Sequence, residues 1–320
     1  MKILVTGGLG FIGSNFIRTI LNKYQEIQIV NLDYKTYAGN LENLKDIEND
    51  SRYQLVLGNI CDAHLVNELF KIHKFDQVVH FAAESHVDRS IDNPLSFIDT
   101  DVKGTGILLE AAKVHGIQRF VHISTDEVYG SIDFGKSKEN DVLKARNPYS
   151  ASKVGAEKLA YAYFITYGLP VIITRGSNNF GPFQFPEKLI PLFITNLIDG
   201  LQVPLYGDGL NKRDWIYVID HCEAIDLVRQ EGKLGEIYNI GGGNERTNYE
   251  ITHLLIKLCN KDVTYIKPVE DRKGHDRRYA VDCSKINALG WKPRFDFEQA
   301  MVETVGWYQN NRRWWEKLKK

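Results

Sequence analysis

Two adjacent carboxylic acids, Asp126 and Glu127, stand in the segment STDEVYG, directly after the apolar run RFVHI. The run predicts a buried strand, so we expect both acids to leave the edge of a sheet. Two carboxyl groups with separated pKa values can divide the roles of general acid and general base. A solvated acidic turn is the common alternative. Because side chains alternate along a strand, both acids can face one substrate only if the strand has already ended.

A tyrosine and a lysine, Tyr149 and Lys153, stand four residues apart in YSASK, at the start of a segment with helical periodicity. This spacing places the phenol and the ammonium group on one face of the helix. The lysine is then expected to lower the pKa of the tyrosine and make it a usable base. Taken alone, this motif is common by chance, and a surface pair is the alternative.

Three glycines, Gly7, Gly10 and Gly13, lie in TGGLGFIGS between an apolar strand and an amphipathic helix. Glycines at this place allow a tight turn and a close approach to a pyrophosphate, whose charge the helix N-terminus favours. Asp33 ends the next strand, where a carboxylate would accept hydrogen bonds from an adenosine ribose. It favours NAD over NADP because a 2′-phosphate would meet like charge, and nearby Lys35 offsets this in part.

The elements that must position these residues alternate between short apolar runs and longer amphipathic stretches. The runs are KILVT, IQIVNLD, YQLVLGN, QVVHFAA, RFVHIST and LPVIITRG. They predict an α/β fold with a Rossmann-type doubly wound parallel sheet over residues 1–175. Three prolines near residues 182–191 then mark a smaller α/β region, 176–320. Two later runs within 213–241, RDWIYVID and EIYNIGG, are expected to return to the first sheet.

Composition excludes several classes of protein. The net charge of −1 gives no basic excess for nucleic acid or a membrane surface, and no apolar run is long enough to span a membrane. The four cysteines are scattered, and His80, His86 and His122 lack ligand spacing, so neither disulfides nor a metal site is predicted. The N-terminus does not resemble a signal peptide. We therefore expect a cytoplasmic protein.

The glycine turn, Asp33 and YSASK together resemble the extended short-chain dehydrogenase/reductase family, whose members mostly modify nucleotide sugars. The resemblance covers essentially the whole chain. It implies that Tyr149 deprotonates a sugar hydroxyl while NAD takes the hydride. It also implies that Thr125 shares the hydrogen bonds of that hydroxyl and that Lys153 holds the nicotinamide ribose.

Longer segments are similar to the nucleotide-sugar 4,6-dehydratases of this family. They are HFAAESHVDRS, STDEVYG, SNNFGPFQFPEKLIP, YGDGLNKRDWIYVIDH and GHDRRYA. By this resemblance Asp126 protonates the leaving hydroxyl at C6 and Glu127 removes the C5 proton. The implied reaction converts dTDP-glucose to dTDP-4-keto-6-deoxyglucose with NAD regenerated, and it makes the smaller region the nucleotide-sugar-binding domain.

The resemblance also implies two sets of binding residues. The NAD set is Gly7, Gly10, Phe11, Ile12, Gly13, Asp33, Lys35, Thr36, Asn59, Ile60, Ala82, Ala83, Glu84, Thr100, Tyr149, Lys153 and Asn179. The substrate set is Ser85, Thr125, Asn178, Lys188, Leu189, Pro204, Tyr206, Arg213, Asn248, Arg272 and His275. Its basic members suit a diphosphate.

Three positions depart from the family pattern: Asn59 stands where an Asp is usual, Asp101 where an Asn is usual, and Gln184 where a His is common. They leave the nucleotide base and the C2 substituent open, so UDP-glucose and UDP-N-acetylglucosamine are alternative substrates. A 4-epimerase or decarboxylase of the same family, and an NAD-binding protein without catalysis, are rival functions. The family commonly dimerises through two helices, here expected in 93–116 and 149–168, so a homodimer is predicted.

Overall fold

The strands and helices are given as they occur in a computed structural model, which describes residues 1–271 and 274–319. Strands β1 to β12 are Lys2–Thr6, Gln28–Asp33, Tyr53–Leu57, Gln77–His80, Arg119–Thr125, Val171–Gly176, Asn178–Phe180, Val203–Tyr206, Lys212–Tyr217, Ile237–Ile240, Glu245–Thr247 and Ile266–Val269. Helices α1 to α12 are Phe11–Lys23, Ala63–His73, Val87–Asp92, Pro94–Phe97, Thr105–His115, Pro148–Tyr167, Leu189–Ile198, Val218–Glu231, Asn248–Leu258, Ser284–Asn287, Phe297–Asn310 and Arg312–Trp315. Short 3₁₀ helices cover Leu41–Ile47, Asp126–Tyr129 and Val263–Tyr265, and a π-helix covers Ile98–Gly104.

A parallel sheet of seven strands forms the centre of the described part of the chain, in the order β10-β6-β5-β4-β1-β2-β3. This confirms the predicted Rossmann-type sheet. Strands β4 and β6 are buried along their whole length, which explains why they read as continuous apolar runs. The direction of winding changes between β1 and β4. Ligands of doubly wound sheets bind at this change, outside the carboxyl ends of the strands.

Apolar side chains cover both faces of the sheet. On one face Phe16 of α1 and Ile225 of α8 belong to the same buried cluster. On the other face Phe70 of α2, Leu108 of α5 and Ala160 of α6 form a second cluster. Packing on both faces therefore fixes the ends of the strands and the turns that follow them.

The two later runs go to different sheets. Residues 237–240 form β10, which pairs with β6 at the edge of the large sheet. Residues 212–217 form β9, which instead pairs with β7 and β11 in a smaller sheet. That sheet packs in a third apolar cluster with α7, α9 and α11, which includes Phe193, Trp215 and Tyr308. The division of the chain at residue 175 stays a prediction.

Candidate active site

A cavity of about 670 Å³ lies at the carboxyl ends of the parallel strands. Its wall includes the glycine turn after β1, the segments that follow β2, β4 and β5, and the start of α6. Tyr206 and Arg213 from the smaller sheets complete the wall. The cavity therefore joins the part of the fold that is typical of dinucleotide binding to the part that lies beyond residue 175.

The glycine turn has the shape that a pyrophosphate requires. Gly7 has a φ of 72°, and a Cβ on it would lie 2.6 Å from the backbone nitrogen of Ala82. A Cβ on Gly13 would lie 2.4 Å from the carbonyl oxygen of Gly7. Gly10 precedes α1, and its Cβ would have only the Gly7 oxygen nearby, at 3.2 Å. The N-terminus of α1 is thus open to an anion, and the residues present fit NAD.

Asp33 is placed to hold a ribose. Its side chain is 7% exposed, and its two oxygens accept hydrogen bonds from the backbone N–H groups of Lys35 at 2.7 Å and Leu9 at 2.9 Å. Burial raises the pKa of the carboxyl group, and these two bonds oppose the rise. Each carboxylate oxygen can accept a further hydrogen bond, which ribose hydroxyls can donate.

The strand that carries the two acids ends before them. Strand β5 stops at Thr125, and the 3₁₀ helix Asp126–Tyr129 begins at once. The Thr125 hydroxyl caps this helix by accepting a hydrogen bond from the Glu127 backbone N–H at 3.3 Å. Because the strand has ended, the alternation of side chains along a strand does not place the two carboxyl groups on opposite faces of the sheet. This is the condition under which both acids can face one substrate.

The two acids have different surroundings. Asp126 is 2% exposed and lies behind the cavity wall, where the Thr125 hydroxyl donates to its Oδ1 at 3.3 Å. Its Oδ2 has no hydrogen-bond partner among the described residues. Burial, and next the charge of Glu127, raise the pKa of Asp126 well above its usual range. Glu127 lines the cavity, and the Asn147 amide donates to its Oε2 at 3.5 Å.

Tyr149 and Lys153 both line the cavity from the first turns of α6. Asn147 fixes the start of this helix in a capping box with Ser150, and Pro148 occupies the first turn. The Lys153 ammonium donates to the carbonyl oxygen of Ile123 at 2.7 Å. Burial raises the pKa of Tyr149 well above its ordinary value, and the Glu127 and Asp101 carboxylates raise it further. In the chain without a cofactor, the pKa of Tyr149 is therefore raised, whereas the sequence predicted that Lys153 lowers it.

Asp101, one of the departures from the family pattern, joins three parts of the site. It lies in the π-helix before α5, an irregularity that is frequent at functional sites. Its Oδ1 accepts a hydrogen bond from the Glu84 backbone N–H at 2.8 Å, and its Oδ2 accepts one from the Ser152 hydroxyl at 2.6 Å. Burial raises the pKa of Asp101 to about 6, and the Lys153 charge limits the rise.

Nearly all residues of the two predicted binding sets line this one cavity. Lys35 does not, although its backbone N–H bonds to Asp33, and Arg272 lies outside the described residues. Those in the wall are Gly7, Gly10, Phe11, Ile12, Gly13, Asp33, Thr36, Asn59, Ile60, Ala82, Ala83, Glu84, Thr100, Asn179, Ser85, Asn178, Lys188, Leu189, Pro204, Tyr206, Arg213, Asn248 and His275.

Several residues of the wall carry no signal in the sequence. His221 lines the cavity, and one of its ring nitrogens bonds to the Asn179 amide oxygen at 2.9 Å. Burial lowers the pKa of His221 to about 3, so the ring is neutral. Glu187 also lines the cavity and accepts a hydrogen bond from Tyr37 at 3.1 Å. Tyr37 and Glu187 are 150 residues apart in the chain, and no spacing rule connects them.

Residues 1–271 and 274–319 lack two other kinds of feature. No three His, Cys, Asp or Glu side chains converge there in a way that could hold a metal ion. None of the helices there is both long enough and apolar enough to cross a bilayer.

Comparison with known proteins places this geometry in a family. The family model for GDP-mannose 4,6 dehydratase matches residues 4–304. A dTDP-glucose 4,6-dehydratase of Streptomyces antibioticus is 52% identical over 326 residues, which span 100% of this chain and 96% of the relative.

Solved structures agree with this. The crystal structure of DesIV, a dTDP-glucose 4,6-dehydratase from Streptomyces venezuelae with NAD bound, has a TM-score of 0.97 and 51% identity, with both chains fully covered. A UDP-glucose 4-epimerase of Thermus thermophilus in complex with NAD has a TM-score of 0.90 and 29% identity, over 97% of this chain and 100% of the other. The chain therefore belongs to the GDP-mannose 4,6 dehydratase family, within the extended short-chain dehydrogenases/reductases.

Proposed function

We propose that this chain is an NAD-dependent hydro-lyase that converts dTDP-glucose to dTDP-4-keto-6-deoxyglucose. One observation carries the proposal: a buried Asp126 and a cavity-lining Glu127 follow the same strand, and Tyr149 and the glycine turn line the same cavity. Full-length relatives at about half identity that are named for this reaction support it.

The site residues divide the reaction as follows. NAD, when bound, supplies the hydride acceptor for C4 and returns the hydride to C6. Tyr149 takes the proton of the C4 hydroxyl. To do so, its pKa must fall from the raised value described above. The positive charges of Lys153 and of the oxidised cofactor both favour the phenolate. Thr125 accepts or donates a hydrogen bond at the same hydroxyl.

Elimination of water then uses the two acids. A ketone at C4 makes the C5 proton acidic, and Glu127 removes it from the cavity side. Asp126 supplies the proton with which the C6 hydroxyl leaves as water. Since Asp126 lies behind the wall, its proton reaches the cavity either by rotation of the carboxyl group or through the Thr125 hydroxyl at 3.3 Å.

The nucleotide diphosphate is expected to bind in the same cavity. Lys188, Arg213 and His275 line it, and Lys188 and Arg213 can supply positive charge to phosphate oxygens. Tyr206 is 39% exposed, so its ring offers a surface on which a base can stack. Arg213 also lies against the ring of Tyr279, with its Cζ 4.5 Å from the ring centroid. This contact keeps the guanidinium group in place.

A 4-epimerase needs hydride transfer and a proton acceptor but no elimination of water. The structural similarity to an epimerase at 29% identity is compatible with such a reaction. The buried Asp126 beside Glu127 has no role in it, and so favours the dehydratase. The same chemistry on UDP-glucose or UDP-N-acetylglucosamine differs only in residues that contact the base and the C2 substituent.

We also propose a homodimer in the cytoplasm. Apolar side chains are exposed on the two helical segments predicted to pair: Leu95 is 72% exposed, Ile98 46% and Ile165 62%. A second copy would cover them in a four-helix arrangement. All four cysteines are free thiols, which fits a reducing compartment.

The test is turnover of dTDP-glucose, UDP-glucose and UDP-N-acetylglucosamine by the purified protein, without added NAD. We expect a 4-keto-6-deoxy product from dTDP-glucose and the slowest turnover from the N-acetyl sugar. A product that keeps its C6 oxygen would contradict the dehydratase, and accumulation of NADH at the rate of product formation would contradict the internal return of the hydride.

A further inference from the structure

The segment Pro182–Lys188, of which only Lys188 has a role in the proposed reaction, crosses from one side of the cavity to the other; we call it the strap. At its start, the carbonyl oxygen of Pro182 accepts a hydrogen bond from the Asn15 amide of α1 at 3.0 Å. At its end, the Lys188 ammonium donates to the carbonyl oxygen of Ser85, after β4, at 2.7 Å. Gln184, Phe185, Glu187 and Lys188 line the cavity between these ends. The strap therefore spans the cleft in which the glycine turn and Asp33 lie.

The start of the strap is fixed by aromatic contacts. Phe183 has a φ of 68°, unusual for a residue with a side chain, and its ring lies 4.7 Å from that of Trp307. The Arg18 guanidinium of α1 stacks on the ring of Phe183, with Cζ 4.1 Å from the ring centroid. The carbonyl oxygen of Gln184 accepts a hydrogen bond from the buried Tyr308 hydroxyl at 2.5 Å. This half of the strap is therefore attached to α1 and α11.

The other half is held by Tyr37, which lies in the loop after β2. Its hydroxyl donates to Glu187 Oε1 at 3.1 Å, and its ring meets that of Phe185 edge-on with centroids 5.6 Å apart. Arg89 of α3 lies over the opposite side of the ring, with Cζ 3.5 Å from the centroid, and its Nε is 3.7 Å from Glu187 Oε2. His86 Nε2 is 3.8 Å from the same oxygen. We call Tyr37, Arg89 and Glu187 the clasp.

The clasp joins three segments: the loop after β2, helix α3 and the strap. Each of them also contributes to the wall of the cavity. Thr36 and Ala38, on either side of Tyr37, line the cavity, and so do His86 and Asp88 near Arg89. A dinucleotide that extends from Asp33 to Tyr149 would lie between the glycine turn and these segments. The clasp opposes movements of the strap or the loops that would widen this space.

We propose that the clasp closes the strap over NAD and retains the cofactor throughout the reaction cycle. The inference depends on the NAD-binding part of the proposed function. A reaction that removes a hydride and later returns it fails if the reduced cofactor leaves between the two steps. Tyr37, Arg89 and Glu187 are therefore positioning residues for retention, and they need not touch the reacting atoms.

The experiment measures release of NAD, and not only activity. Wild type, Tyr37→Phe and Arg89→Met are purified, the NAD retained per protomer after gel filtration is counted, and bound NAD is exchanged against radiolabelled NAD. Tyr37→Phe keeps the ring and removes one hydrogen bond to a charged group, so we expect exchange about 10-fold faster. Arg89→Met should also accelerate it, and millimolar NAD should restore kcat in both.

A matched control is Tyr163→Phe. The Tyr163 hydroxyl also donates to a carboxylate at 3.1 Å, that of Glu110, and Tyr163 is not part of the cavity wall. Exchange in this variant should stay within twofold of wild type. The proposal is overturned if both clasp variants exchange within twofold of wild type, if the control accelerates equally, or if wild type itself loses NAD during gel filtration. If instead only the proposed reaction is wrong, NAD is retained and exchanges as described while no nucleotide sugar is converted.

Discussion

The carboxyl groups of Asp126 and Glu127, adjacent in the chain, lie on opposite sides of the cavity wall. Asp126 is buried behind Thr125, with one oxygen unpartnered among the described residues, whereas Glu127 lines the cavity. Burial raises the pKa of Asp126 well above its usual range. One chain segment thus carries the proposed proton donor and the proposed proton acceptor, and places them in different surroundings.

Replacement of each acid should stop the reaction at a different step. Glu127→Gln should allow oxidation at C4 but not removal of the C5 proton, so bound NADH accumulates and exchange of that proton into heavy water is lost. Asp126→Asn should keep the exchange, because the base remains, while water leaves slowly. Each variant should lose roughly 100-fold to 10,000-fold in dehydration. NADH absorbance and deuterium incorporation are the measurements.

Tyr149→Phe is the control, since it should block oxidation and show neither NADH nor exchange. Dehydration at full rate by either acid variant would contradict the assignment. Thr125→Val adds a separate test of the route of the proton: if the Thr125 hydroxyl carries it from Asp126, this variant should keep exchange and lose dehydration, as Asp126→Asn does.

The sequence predicts the large sheet well because its strands are buried on both faces. The run KILVT gives β1 with the observed bounds, and RFVHIST gives β5. The run RDWIYVID has the same appearance but joins the smaller sheet, as β9. The pattern of apolar residues indicates that a strand is buried, but it does not indicate which strand it pairs with.

The site is predictable where a motif carries it and not where distant segments meet. YSASK and the glycine turn indicate Tyr149 and Gly10 because each motif stands at its expected place among the predicted strands and helices. The raised pKa of Tyr149 could not be predicted, because it depends on burial and on carboxylates from other elements. The bond between Tyr37 and Glu187 likewise depends on the path of the strap.

Asp101→Asn should change how stability depends on pH. Burial raises the pKa of Asp101 to about 6 in the folded chain, whereas an unfolded aspartate titrates near about 3.9. Between these values the folded chain binds more protons, so this group's contribution to the free energy of unfolding falls as the pH rises from about 4 to about 6. The asparagine oxygen can accept the bond from the Glu84 N–H, its amide nitrogen can donate to the Ser152 oxygen in place of the bond that the carboxylate accepts, and the side chain does not titrate. Relative to wild type, the variant should gain about 2 to 3 kcal/mol between pH 4 and pH 7.

Urea unfolding at several pH values measures this gain. Asp92→Asn, at an exposed position, serves as the control. Its free energy of unfolding should differ from that of wild type by the same amount at every pH in this range. If the difference between Asp101→Asn and wild type is also independent of pH, the carboxyl group of Asp101 titrates as an ordinary exposed acid.

Leu95→Glu should weaken the proposed homodimer. Leu95 is 72% exposed and apolar, and a charge placed there would lose its hydration on association. Light scattering at micromolar protein should give twice 36.6 kDa for wild type and a lower mass for the variant. Val263→Glu, at a position that is 60% exposed and outside the two helical segments, should leave the mass unchanged. A wild-type mass of one chain would overturn the homodimer.

Gly10→Ala should remove NAD binding without unfolding the protein. A Cβ at this position would have only the Gly7 carbonyl oxygen within contact range, at 3.2 Å, so the turn can accommodate it with a small shift. The same methyl group would occupy the space through which a pyrophosphate approaches the N-terminus of α1. We expect at least a roughly 10-fold weaker affinity for NAD, measured by calorimetry, with a free energy of unfolding within about 1 kcal/mol of wild type.

Gly306→Ala is the matched control. Gly306 lies within α11, and a Cβ on it would have nothing within 4 Å. This variant should leave NAD affinity unchanged and add about 0.5 to 1 kcal/mol of stability through helix propensity. Equal NAD affinity in Gly10→Ala and wild type would show that the glycine turn does not contact the pyrophosphate.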